Sequence, residues 1–253
     1  MSHSRAGRPA ARRYNVAPDP AEPLPSMPQH TPANTESLTL LSRLAERLPD
    51  GLRLLSGVAE DKTDTLYPIE QACVANAVHR RRVEFSTGRW LARQGLLELG
   101  AGAAAIPAGT GREPIWPDGI VGSVTHSASR CAVVLGRTAE FVGVGLDLEL
   151  IGAVDVALAD LIVSPSEPVG HRSPTELRLV FSAKESVFKC VFPMLRAFLD
   201  FRDIEIRIDS ATSTFSAVRS RTGTPRVPPG IGLYESDACG VATLFAVSAR
   251  EPT

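Results

Sequence analysis

Gly143–Glu149 reads GVGLDLE and alternates Val144, Leu146 and Leu148 with Gly145, Asp147 and Glu149. A strand turns successive side chains to opposite faces, so this period predicts one packed face and one face that carries both acids. Two carboxylates about 7 Å apart along one side of a strand are placed to share a hard cation, which takes oxygen ligands. A half-buried strand with two ordinary solvated acids shows the same alternation, so the segment alone leaves both readings open.

Two strands lie just upstream, Ile120–Thr125 and Cys131–Leu135. With Val142–Glu149 their close spacing predicts an antiparallel meander. The first runs into Gly122-Ser123-Val124-Thr125-His126-Ser127. Small hydroxyls beside an imidazole can offer several donors to a phosphate, although a histidine at a strand end is more often structural.

Downstream, Ser173-Pro174 with Glu176 opens a helix expected to run to about Cys190, with Pro193 as its stop. It contains FSAKESVFK at 181–189. Phe181, Glu185 and Lys189 share one side of this helix, and Lys184 and Phe188 lie on the next stripe. A Glu185–Lys189 pair is compatible with a surface bridge. Among Phe181, Val187 and Phe188, however, a partly buried ion has to be paired or metal-bound. Glu185 added to Asp147 and Glu149 gives a plausible octahedral Mg²⁺ site, with Lys184 and Lys189 flanking phosphates bound there. Arg81, Arg89 and Arg112 are further phosphate candidates, since guanidinium forks match phosphate oxygens, whereas Arg80–Arg82 also suits a solvated helix face. Gly88 in mid-helix costs about 1 kcal/mol against alanine and signals close packing or a ligand's approach.

The chain of 253 residues is long enough for two cores. Residues 1–35 hold seven prolines and few clustered apolar side chains, a composition that predicts a disordered tail. Helices are expected at about 38–48, Ile69–His79, Val83–Leu99 and Val154–Ile162. Strands are expected at Gly51–Ala59, Phe201–Ile208, Thr214–Val218, Gly230–Tyr234 and Ala238–Val247. The order helices, sheet, helices, sheet gives an α+β fold in two similar halves, 36–149 and 150–253, after the tail. No glycine fingerprint or regular strand–helix period supports a Rossmann or barrel fold.

Basic residues (27) nearly balance acidic ones (28), so net charge gives no reason to expect a nucleic-acid partner. Cys73, Cys131, Cys190 and Cys239 form no C-x-x-C pair and read as buried thiols in a reducing compartment. No apolar run suits a membrane span and no apolar core follows the N-terminal arginines, so a cytoplasmic protein is expected, and the two-half architecture with a built-in cleft gives a monomer as the expectation.

GSVTHS, GVGLDLE and FSAKESVFK, in that order, resemble the signature of the 4'-phosphopantetheinyl transferases, and RRRVEFSTGR and REPIWPDGIVGS resemble the enterobactin-synthase type within it. The likeness covers about residues 40–250. It implies a pseudo-twofold fold of two α+β halves with coenzyme A and Mg²⁺, or Mn²⁺, in the cleft between them. It implies transfer of the phosphopantetheine arm to a serine of an apo acyl or peptidyl carrier protein, with release of 3',5'-ADP, in siderophore, nonribosomal peptide or polyketide synthesis. Residue by residue, Asp147 and Glu149 match the strand carboxylates on the metal. Glu185 matches the helix carboxylate that ligates it and takes the serine proton, directly or through water. Lys184 and Lys189 match lysines near the coenzyme A phosphates. Ser123, Thr125 and His126 match the segment at the nucleotide end, and Arg81, Arg89 and Arg112 the basic residues for the 3'-phosphate and pyrophosphate. Carrier recognition is expected around Val154–Pro174. A coenzyme A- or carrier-binding protein without chemistry, or another Mg²⁺-dependent phosphoryl enzyme, stay open as alternatives.

Overall fold

The acidic strand, β4 (Phe141–Leu150), is the edge of a five-stranded antiparallel sheet in the order β4-β8-β7-β6-β5. Its partners are β8 (Gly240–Ser248), β7 (Ile231–Asp237), β6 (Thr214–Arg219) and β5 (Ile204–Asp209). A separate three-stranded sheet runs β1-β3-β2, from β1 (Arg53–Val58), β2 (Ile120–Ser127) and β3 (Arg130–Arg137). This computed structural model describes residues 33–150, 159–164, 166–167, 173–197, 199–219, 223 and 225–250.

The expected three-strand meander is therefore corrected. β2 and β3 form a hairpin, but β3 already has β1 on its other edge, so no hydrogen-bonding edge remains for β4. β4 instead pairs along its length with β8, Phe141 opposite Ser248 and Leu150 opposite Gly240. By sheet membership the chain changes halves at 138–140, ahead of the expected Glu149–Ile151.

Alternation along the strands sorts the core into layers. Val144, Leu146 and Leu148 of β4, with Ala242, Leu244 and Ala246 of β8 and Ala132 and Val134 of β3, pack under Leu40, Leu41 and Leu44 of α1 (Ala33–Glu46). On the opposite face, α3 (His79–Glu98) covers the small sheet through Leu91, Ala92 and Leu96 against Cys131, Val133 and Leu135. α5 (Pro174–Leu195) covers the large one through Ala183, Val187 and Val191 against Val241, Phe245 and Val247. Each long helix thus has its own sheet, and α1 serves both.

α2 (Pro68–Val74) is shorter than the expected 69–79, and α3 begins at His79 instead of Val83. α5 opens as its sequence predicts: Ser173 Oγ accepts from Glu176 N at 3.2 Å while Glu176 Oε2 accepts from Ser173 N at 2.8 Å. Pro193 does not stop it. The helix runs through to Leu195 and ends at Arg196 in the left-handed region (φ 49°), because a proline in the last turn forfeits a single backbone bond. The expected tail falls outside the described residues up to 32. Of the helix expected at 154–162, α4 (Ala159–Ile162) is described and 151–158 lie outside. No helix among the described residues is long and apolar enough to cross a membrane.

Candidate active site

The two sheets meet at their edge strands, β2 and β4, and α5 packs on β4 beside the seam. The alternation of GVGLDLE puts Gly143, Gly145, Asp147 and Glu149 on the α5 side. That face is covered, not wet: Asp147 is 3% exposed. The small residues explain the closeness. A Cβ on Gly145 would stand 1.8 Å from the Ser186 carbonyl oxygen and 2.7 Å from Cys190 N, so only glycine lets the α5 backbone settle onto β4 here. At Gly88 on α3 a Cβ would meet the Val124 side chain of β2, Cγ1, at 2.9 Å.

This close packing delivers α5 side chains to the acids. Lys189 Nζ donates to Asp147 Oδ1 at 2.5 Å and to the Leu146 carbonyl at 3.4 Å. Thr125 Oγ1, from β2, donates to the same Asp147 oxygen at 3.4 Å and lies 3.5 Å from Lys189 Nζ. Thr125 therefore belongs to the carboxylate cluster and not to the His126 end of the strand, as the alternation of β2 requires. Asp147 Oδ2 is buried with no hydrogen-bond partner.

The electrostatics are those of too many negative charges for one ammonium. Burial pushes the Glu149 carboxyl up to about 8, and Asp147 and Glu185 add to this against Lys189. Burial also raises Glu185, with Lys189 opposing and Asp147 reinforcing. For Lys189, burial favours the neutral amine, but Asp147, Glu185 and Glu149 outweigh it and the net shift is upward. Among the described residues no three His, Cys, Asp or Glu side chains stand as a ready-made metal cluster. The donor set nevertheless fits a hard divalent cation: it is all oxygen, its members disfavour one another's charge, and Asp147 Oδ2 is a buried acceptor without a donor.

Glu185 and Lys189 also line a cavity of about 210 Å³. Trp116, Val124, Phe188, Phe192 and Pro193 make its apolar walls, and Arg112 and Ser123 also line it. Arg112 takes a left-handed backbone (φ 68°) in the loop whose Glu113 forms an ion pair with Arg196 at the end of α5. The turn-dense 112–119 stretch is thus a wall of the cavity.

Lys184 is a correction. It is fully buried, and its ammonium donates to Glu167 Oε2 at 2.7 Å, the Ile162 carbonyl at 2.8 Å and the Phe201 carbonyl at 2.9 Å. All three donors are used inside the fold, so it does not flank bound phosphate. Its partner Glu167 also accepts from Ser164 N and Ile206 N, tying the segment before α5 to β5. The other half has a counterpart. Glu70 accepts from Arg93 Nη1 at 3.0 Å and from Ile106 N at 2.7 Å.

Arg89 is 4% exposed, donates to the Ile106 carbonyl and stacks 4.1 Å from the Phe85 ring centroid. Burial lowers it to about 10, so it stays charged at neutral pH. Arg81 and His126 are more open and touch each other, Arg81 Nη1 to His126 Nε2 at 2.7 Å. The structure brings Asp147, Glu149, Glu185 and Lys189 near one another. The sequence reading missed Glu84, Glu70 and Glu167, the last two fully buried acids whose partners are 23 and 17 residues away.

Residues 69–136 match the 4'-phosphopantetheinyl transferase N-terminal domain, and residues 143–227 match the 4'-phosphopantetheinyl transferase superfamily domain. The chain is 37% identical over 165 residues to 4'-phosphopantetheinyl transferase Svp of Streptomyces mobaraensis, covering 62% of this chain and 67% of that protein. It is 37% identical over 151 residues to 4'-phosphopantetheinyl transferase PptT of Mycobacterium tuberculosis, covering 58% and 66%. It is 34% identical over 150 residues to enterobactin synthase component D of Escherichia coli, covering 56% and 70%. The chain belongs to the 4'-phosphopantetheinyl transferase superfamily. The matches span about two thirds of these relatives' lengths. The gap between the two family matches, 136 to 143, coincides with the turn where the chain passes from one sheet to the other. Membership supports transferase activity of this class in general, and the bilobed α+β fold is the family's.

Proposed function

We propose that this chain transfers the 4'-phosphopantetheine arm of coenzyme A to a serine of an apo carrier protein and releases 3',5'-ADP. The observation that carries the proposal is the seam itself: Asp147 and Glu149 on one strand, Glu185 and Lys189 on the helix pressed against it, beside an apolar cavity.

Asp147, Glu149 and Glu185 would hold Mg²⁺ or Mn²⁺, which when bound neutralises charge on the pyrophosphate oxygens. Lys189, held above its usual pKa, adds a fixed positive charge where the leaving oxygen develops its own. The serine oxygen forms a bond to the phosphorus bearing the pantetheine arm as the phosphoanhydride bond to 3',5'-ADP breaks. Glu185, a half-buried carboxylate on the same wall, receives the serine proton. No internal nucleophile is needed, because the serine arrives with the partner. Trp116, Phe188 and Phe192 offer the apolar arm a water-poor channel. Arg81 and His126 face the 3'-phosphate, and Arg112 the pyrophosphate. The closer assignment to the enterobactin-synthase type, with a siderophore carrier as preferred acceptor, rests on RRRVEFSTGR and REPIWPDGIVGS and belongs to the same proposal.

The test is mass spectrometry of purified apo carrier proteins incubated with coenzyme A, Mg²⁺ and this protein. One phosphopantetheinyl group should be added per carrier, and Asp147→Ala should lower the rate at least 100-fold while the fold is kept, in the range of removing one electrostatic stabiliser. Full labelling by Asp147→Ala, or cleavage of coenzyme A with no carrier present, would overturn it.

A further inference from the structure

Glu84 on α3 is a buried carboxylate with no part in the chemistry above. Its side chain is 7% exposed, yet three cationic or donor groups converge on it: Arg80 Nε at 2.9 Å, Arg81 Nη1 at 3.7 Å and His126 Nδ1 at 3.5 Å. Arg81 Nη1 also lies 2.7 Å from His126 Nε2. A guanidinium can only donate, so Nε2 is the acceptor and the neutral ring carries its proton on Nδ1, the nitrogen turned to Glu84. The groups facing His126 are Arg80, Arg81 and Glu84 from α3 and Lys189 from α5. Partial burial lowers the pKa of the ring, Arg81, Lys189 and Arg80 lower it further, and Glu84 alone opposes them. Cys131, opposite His126 in the β2–β3 register, has its thiol pushed up to about 12 by burial and stays out of the titration.

The exposures point the same way. Arg81 and His126 are 42% and 38% exposed in their side chains and can meet a ligand, while Glu84 beneath them is fixed. A phosphate arriving there competes with Nε2 for the Arg81 N–H and, as an anion, favours the imidazolium.

We infer that Glu84 is a positioning residue that turns His126 into a proton-taking phosphate ligand. On binding, the Arg81 N–H···Nε2 contact is given up and Nε2 takes one proton from solvent. The imidazolium then donates through Nε2–H to a phosphate oxygen, while Nδ1–H remains on Glu84. No other bond is made or broken. The inference rests on the proposed function for the identity of that phosphate, the 3'-phosphate of coenzyme A.

Calorimetric titration of coenzyme A into the full chain, in buffers of different ionisation enthalpy at about pH 7, counts the protons taken up. Wild type should take up close to one proton and bind more tightly as pH falls. Glu84→Gln, checked for folding by circular dichroism and melting, should lose most of that uptake and flatten the pH dependence. Its Kd should be about tenfold weaker at the acid end, the equivalent of one pKa unit at His126. Glu84→Asp should restore part of both. A carboxylate that merely balanced charge would behave oppositely: Glu84→Gln would leave Arg80 and Arg81 unneutralised, tighten phosphate binding and keep the uptake. Unchanged uptake in Glu84→Gln, or coenzyme A binding by wild type without uptake, overturns the inference. If Glu84→Gln does not fold, His126→Gln decides: wild-type uptake in that variant overturns the inference and its loss supports it. Failure of wild type to bind coenzyme A at all overturns the proposed function, and this inference with it.

Discussion

Glu149 and Lys184 are both ionisable groups in a crowded interior, yet they respond to opposite demands. Glu149 has its carboxyl raised from 4.5 to about 8, by burial first and Asp147 next. In a cation-free protein the folded state therefore holds a proton that the unfolded state has lost, and stability falls as pH rises from about 4.5 to about 8. Melting temperatures across that window, measured in chelator, should decline for wild type, and Glu149→Gln should decline less. Lys184 is ion-paired with the buried Glu167, so Lys184→Met strands that carboxylate and should cost about 3–5 kcal/mol in chemical denaturation. Lys184→Met with Glu167→Gln should recover part of that loss. Coenzyme A affinity, measured where the single variant is folded, should stay near wild type; a large loss would return Lys184 to the binding site. The acids and Lys189 were legible because strand and helix periods place them on one face each. Lys184 was not, since FSAKESVFK alone does not say which stripe of α5 meets the loop that carries Glu167.

The element that decides the site is α5 against β4. Their approach depends on Gly143 and Gly145, where a Cβ would run into Cys190 and Ser186 backbone atoms. Gly145→Ala should cost about 1–3 kcal/mol by overpacking. It should also lower transfer activity where the protein is still folded, because the helix that shifts carries Glu185 and Lys189. Unaltered activity would mean the seam tolerates looser spacing than its contacts imply. The capping box, the strand alternation and the β2–β3 hairpin could be read from residues. The pairing of β4 with β8 could not, because nothing local to 141–150 shows that both edges of β3 are already occupied. The cavity walls were equally hidden, since Trp116 and Phe192 are distant in sequence and meet only when the 112–119 loop docks on α5.

At the scale of the molecule, α1 holds the two sheets together from the side away from the site. Beyond its leucines, Arg43 bridges Glu235 and Asp237, and Arg47 binds Glu235 and the carbonyls of Thr212, Ser213 and Tyr234. These groups are partly solvated, so replacing both arginines by alanine should cost only about 1–2 kcal/mol, less at high salt, as melting curves in low and high salt would show. The two-half plan was legible from element order. The contrast between the two long helices was less so: α3 buries Arg89 and Arg93 within its own half, on the Ile106 carbonyl and Glu70, whereas α5 brings Glu185 and Lys189 to the seam.

The central claim is that Asp147, Glu149 and Glu185 serve one cation beside bound coenzyme A. Anomalous diffraction from crystals grown with Mn²⁺ and coenzyme A tests it most directly. A single manganese peak within bonding distance of Asp147 and at least one of the two glutamates, next to the pyrophosphate, is the result expected. Manganese bound elsewhere, or coenzyme A seated in the cleft with Lys189 still on Asp147 and no metal between the acids, would contradict it.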